Sequence, residues 1–139
     1  MYLLDTNVVS ELRRKKPHGA VLAWLNSVSD KELFLSAVTL AEIQAGIEIT
    51  REQDTGKANE IETWLDQVTD TYNILAMSGQ VFRLWAKLMH NRSNTLYEDA
   101  MIAATAKNNG LAVVTRNVSD FECFNVNVIN PFKYSENLE

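Results

Sequence analysis

Residues 97–121, YEDAMIAATAKNNGLAVVTRNVSDF, decide the fold. Asp99 opens an alanine-rich apolar segment that ends at Asn109-Gly110, and a short apolar strand, residues 111–114, follows it. The strand empties into Thr115-Arg116-Asn117 and then Asp120. Helix, glycine stop, buried strand and polar turn make the second half of a βαβ unit. The helix of such a unit runs antiparallel to the strands, so it begins at the edge where the strands end. Asp99, Asn117 and Asp120 are therefore expected on one edge, outside the carboxyl ends of parallel strands, where α/β folds place their ligands.

The same alternation extends upstream. Residues 1–4 are a short apolar run that reads as a buried strand and ends at Asp5-Thr6-Asn7. Val8, Val9 and Leu12 suggest a short helix, broken by the basic run Arg13-Arg14-Lys15-Lys16 before Pro17. That run reads either as a solvated loop or as a phosphate-contacting patch near the active edge. Helical spacing of Val21, Trp24, Leu25 and Val28 predicts a helix over 20–28, and 33–36 is a second strand. Leu40, Ile43 and Ile47 share one face of a helix over 39–49. Thr39 with Glu42 has the form of a capping box, which would put Glu42 in that helix's first turn. A polar turn over 50–57 leads to a helix carrying Ala58, Ile61, Trp64, Leu65 and Val68, then a strand over 72–76. Ser78 is the expected cap of a fifth helix, with Val81, Leu84, Trp85 and Leu88 facing inward. Past Asp120, residues 126–129 form a closing strand that Pro131 stops. The order β-α-α-β-α-α-β-α-α-β with a closing strand predicts an α/β/α sandwich around a mainly parallel sheet of four to five strands.

A chain of 139 residues suits one domain with a substantial core. Hydrophobic residues at 46% and charged residues at 22% exclude disordered and fibrous classes. The net charge of −5 argues against simple electrostatic attraction to nucleic acid. It does not exclude a nuclease, because carboxylates that hold a metal lower the net charge while the cation restores the local balance. Cys123 stands alone, so no intramolecular disulfide forms, and no His/Cys cluster points to zinc. No apolar run approaches the ~20 residues of a membrane span, and the N-terminus lacks a signal-peptide pattern. A cytoplasmic protein is expected.

Placed on this topology, Asp5 follows the first strand and Glu42 lies early in the helix after the second. Asp99 opens the helix before the fourth strand, and Asp120 follows that strand. All four map to the carboxyl edge of the sheet. Singly, each has a structural explanation: Asp5 as a helix cap, Glu42 closing a capping box, Asp99 complementing a helix dipole, Asn117 with Asp120 as another cap. Their convergence is what those explanations leave out. Gathered carboxylates repel one another, and a hard divalent cation such as Mg²⁺ or Mn²⁺ removes that penalty. His18 and His90 are expected on the surface, away from this edge.

The motifs LLDTN, TLAEIQAG, EDAMIAATA and VVTRNVSDF, in this order, resemble those of the PIN domain. Within it, the chain is similar to VapC-type toxin ribonucleases of bacterial toxin–antitoxin pairs, in the FitB-like branch. The resemblance spans almost the whole chain. It implies a PIN-like nuclease domain over residues 1–133, and the terminal residues 134–139 are expected to fray. It also implies a Mg²⁺- or Mn²⁺-dependent endoribonuclease acting on RNA, silenced by a small DNA-binding antitoxin, and a homodimer within a toxin–antitoxin hetero-oligomer. By motif, Asp5, Glu42 and Asp99 are the core acids, and Asp120 takes the fourth acidic place beside Asn117. Asn117 is then a neutral ligand or a water-holding group. Asp5, Asp99 and Asp120 hold metal, Glu42 is either a base or a water-mediated ligand, and Thr6, Asn7 and Thr115 support them.

Other classes fit less well. A haloacid-dehalogenase-like phosphatase needs a second aspartate where Asn7 stands, and a phospho-receiver domain needs an acidic doublet after its first strand and a lysine after its last. A catalytically inactive PIN scaffold that binds a partner, and a nuclease acting on DNA, are the remaining alternatives.

Overall fold

The computed structural model describes residues 1–135. The last four residues of the expected frayed tail lie outside them. Five strands, β1 (Tyr2–Leu4), β2 (Leu33–Ser36), β3 (Asn73–Leu75), β4 (Ala112–Val114) and β5 (Val128–Ile129), form one sheet in the order β3-β2-β1-β4-β5. Every neighbouring pair is parallel. The helices are α1 (Thr6–Glu11), α2 (Gly19–Asn26), α3 (Ala37–Arg51), α4 (Thr55–Thr71), α5 (Gly79–Met89) and α6 (Tyr97–Asn109). This is the expected α/β/α order, with a longer α3–α4 hairpin and a tighter turn between its helices.

Strand alternation divides the core in two. Leu3 and Val113, side by side in the register, face a layer built from Ala100, Ile102, Ala103 and Ala106 of α6 with Phe121 and Phe124. Leu4 and Val114, one residue on, face Val8, Val9, Val21, Trp24 and Val68 on the other side. Strands buried on both faces read as continuous apolar runs, which is why such short segments were recognisable. A third cluster, Ile47, Ala58 and Leu65, joins α3 to α4.

Two local expectations are corrected. Thr39 does not cap its helix: Ser36, the last residue of β2, is the N-cap, its hydroxyl accepting from the Val38 amide at 3.1 Å. The helix therefore begins two residues earlier, and Glu42 falls in its second turn. Asn117 makes no side-chain cap; only its carbonyl accepts from the Asp120 amide, at 3.1 Å. Ser78 does cap α5, its hydroxyl accepting from the Val81 amide at 3.2 Å. No helix among the described residues is long and apolar enough to cross a membrane.

Candidate active site

The carboxyl ends of β1 and β4 are joined by a hydrogen-bond network centred on Asp5, which is 6% exposed. Its backbone amide donates to Val114 O at 2.8 Å, continuing the ladder one step past the strands. One carboxylate oxygen, Oδ1, accepts from the Thr6 amide at 2.8 Å and so caps α1. The other, Oδ2, accepts from the Thr115 hydroxyl at 2.7 Å and the Asn7 amide nitrogen at 3.2 Å. Buried Thr115 in turn accepts from Asn7 Nδ2 at 3.2 Å and from the Asn117 backbone at 3.0 Å. Asn7 Oδ1 accepts from the Arg116 amide at 3.1 Å, so this one side chain ties the two loops together. The structural and chemical readings of Asp5 are thus compatible: it caps a helix and still belongs to the acidic edge.

Glu42 is fixed from the other side. The Thr6 hydroxyl lies 2.9 Å from Glu42 Oε1 and 3.1 Å from the hydroxyl of Thr39, which is fully buried. Thr6 has a single hydroxyl proton. An ionised Glu42 accepts only, so that proton goes to Glu42 and Thr39 donates to Thr6.

The electrostatics bring the acids together. Burial, then the charges of Asp5, Asp120, Glu42 and Glu98, push the Asp99 carboxyl up to about 6. Asp5 is also raised, chiefly by burial and further by Asp120, against the lowering effect of its hydrogen bonds to Thr115, Thr6 and Asn7. Burial raises Glu42 as well, opposed by Thr6 and reinforced by Asp5 and Glu98. Asp5, Glu42, Asp99 and Asp120 therefore share one field at one edge of the sheet. Glu98 joins them, although the sequence reading passed over it. Its signal was present: it is the residue before Asp99 in the first turn of α6. His18 and His90 are exposed, and His18 packs its ring edge-on to Phe132 at 5.2 Å.

This donor set consists of carboxylate oxygens, with hydroxyl and amide groups behind them, which suits a hard dication. No three acid, histidine or cysteine side chains among the described residues close into a metal cage. Mg²⁺ does not require one, since it is held by one or two carboxylates while water and substrate phosphate fill the remaining positions. The residues fit such an ion.

Comparison with known proteins identifies the family. The PIN domain model matches residues 2–122. Plasmid stability protein StbB of Pseudomonas syringae pv. tomato is 36% identical over 96% of this chain and 99% of its own length. The VapC ribonuclease Y4jK of Sinorhizobium fredii is 33% identical over 96% of this chain and 99% of its own. Among solved structures, FitAB bound to an IR36 DNA fragment superposes with a TM-score of 0.84 at 32% identity, covering 99% of this chain and all of that one. A parallel sheet in this order, an acidic edge and full-length similarity to these proteins lead to one assignment: the chain belongs to the PIN domain family.

Proposed function

We propose that the protein is the toxin of a toxin–antitoxin pair, a Mg²⁺- or Mn²⁺-dependent endoribonuclease of the cytoplasm. The observation that carries this reading is the gathering of Asp5, Glu42, Asp99 and Asp120 at one edge of the sheet, where burial first and the neighbouring charges second raise Asp99 to about 6. A structural helix cap has no need of three further acids around it. The relatives named above, a VapC ribonuclease among them, supply the reaction class and the partner.

Asp5 and Asp99, with Asp120, would hold the ion, which when bound supplies charge neutralisation at phosphorus and acidifies water. The chain's own residues do the rest. Thr115, Asn7 and the Thr6 amide fix both oxygens of Asp5, so its geometry is set before substrate arrives. Glu42, its carboxyl raised chiefly by burial and oriented by the Thr6 hydroxyl, takes the proton of the attacking water at its carboxylate. Asn117, beside Thr115, offers a neutral oxygen for holding water. The exposed aromatic ridge of Phe82 and Tyr97, packed on Trp85, supplies the apolar surface for a homodimer.

The test is cleavage of an end-labelled RNA by purified protein with Mg²⁺, with Mn²⁺ and with EDTA. Activity is expected with either metal and absent in EDTA. Asp5→Ala and Asp99→Asn should each lose at least about a hundredfold in rate while remaining folded. Full activity in either variant would refute the assignment.

A further inference from the structure

The basic run beside Pro17 takes no part in the acidic network, yet its first residue stands on the way into it. Arg13 lines two grooves at once. One, of about 280 Å³, extends from Thr6 and Glu42 past Ser10 to Trp64 of α4. The other, of about 220 Å³, continues from Arg13 to Lys15 and Lys57. Glu60 also lines this second groove, so three cations there face one carboxylate. In a chain of net charge −5, this is a local reversal of sign.

The basic segment is anchored. Glu11, 5% exposed, accepts the His18 backbone amide at 2.9 Å and pairs with Arg14 at 3.4 Å. One buried carboxylate thus fastens the far end of the segment and engages Arg14, while Arg13 and Lys15 border the grooves.

A nuclease with an acidic centre meets a difficulty at this point. Its carboxylates repel the phosphates on either side of the one being cut, so affinity has to come from cations further along the strand. We propose that the two grooves form a track for single-stranded RNA leading away from the acidic edge. Arg13, then Lys15 and Lys57, receive successive phosphates, and Trp64 forms a wall against which an unpaired base lies. A duplex keeps its base faces stacked and offers none to such a wall. This inference rests on the ribonuclease reading and adds where the substrate strand runs.

The test uses an Asp99→Asn background to suppress cleavage, with a short unstructured fluorescent RNA titrated by anisotropy over a range of salt. Adding Arg13→Gln, Lys15→Gln and Lys57→Gln, all at exposed positions, should weaken binding about tenfold or more at low salt. The slope of log affinity against log salt should also fall by about two, since each phosphate contact on a single strand contributes about 0.7. Trp64→Leu should weaken binding about tenfold with the slope unchanged. Affinity and slope both unaltered in the triple variant would overturn the proposal. So would unaltered RNA binding with a loss of affinity for the inhibitory partner, which would make the groove a protein site. Failure of the ribonuclease reading shows separately, as an otherwise unmodified chain that cleaves no RNA with either metal.

Discussion

Asp99 stands under opposing influences. As the third residue of α6 it lies where the helix dipole favours a negative charge. Burial and the surrounding acids oppose ionisation more strongly, and the carboxyl rises from an ordinary 3.8 to about 6. The native state therefore keeps a proton that the unfolded chain has already released. The stabilisation is complete below the unfolded value and is lost as pH rises through the folded one. In metal-free buffer the melting temperature should be higher at pH 5 than at pH 7.5, with Asp5 and Glu42 acting in the same direction. At pH 7.5 Asp99→Asn should gain about 1 kcal/mol after allowance for solvent screening, roughly 3 °C, and its pH slope should flatten. Calorimetry in EDTA at the two pH values measures this; a parent chain no more stable at pH 5 than at pH 7.5, or an Asp99→Asn variant no more stable than the parent at pH 7.5, would contradict it. The edge on which Asp99 sits was legible because topology alone sends helix starts and strand ends there. Glu98 was passed over although it adjoins Asp99; its charge raises Asp99 directly, and its further effect on Glu42 depends on the packing of α3 beside α6, which the sequence does not display.

Between α6 and β4 the chain turns over two residues, Gly110 and Leu111. Gly110 has φ +66°, with the Leu111 amide bonded to Ala106 O at 2.9 Å and its own amide to Lys107 O at 3.5 Å. These are the two bonds of a Schellman ending, which the Asn109-Gly110 pair announced in the sequence. No atom lies within 4 Å of where a Cβ would be, so Gly110→Ala meets only the left-handed backbone penalty. A loss of about 1 kcal/mol is expected in chemical denaturation, with Gly110→Asn losing less. A substantial loss of RNA cleavage at constant fold would mean that the turn sets the position of Thr115 as well as ending the helix. The start of α3 was less legible than the end of α6. Ser36 and Thr39 are both good cap residues, and Thr39 has a glutamate three places on. What decides between them is tertiary: Thr39 is drawn into the interior towards Thr6, and the chain leaves β2 directly into helix at Ser36.

For the molecule as a whole, the arrangement of charge suggests how the protein is held inactive. The net charge is −5, and part of that charge converges on one cleft, where it is uncompensated in the absence of a cation. An inhibitor can satisfy such a cleft as well as a metal can, by presenting a guanidinium whose fixed fork pairs bidentately with a carboxylate. The partner's toxin-binding segment should therefore carry at least one arginine that approaches Asp5, Glu42, Asp99 or Asp120. Its apolar residues should lie along the early helices, near Val21 and Leu25 or Ile43 and Ile47. Because arginine and metal would occupy the same negative field, their binding should be antagonistic: each weakens the other by the same factor. Partner affinity, measured by calorimetry, should fall as Mg²⁺ is raised, and Asp99→Asn should reduce both the affinity and its metal dependence. An affinity indifferent to Mg²⁺ and to the substitution would mean that the partner inhibits by covering the cleft rather than by filling it.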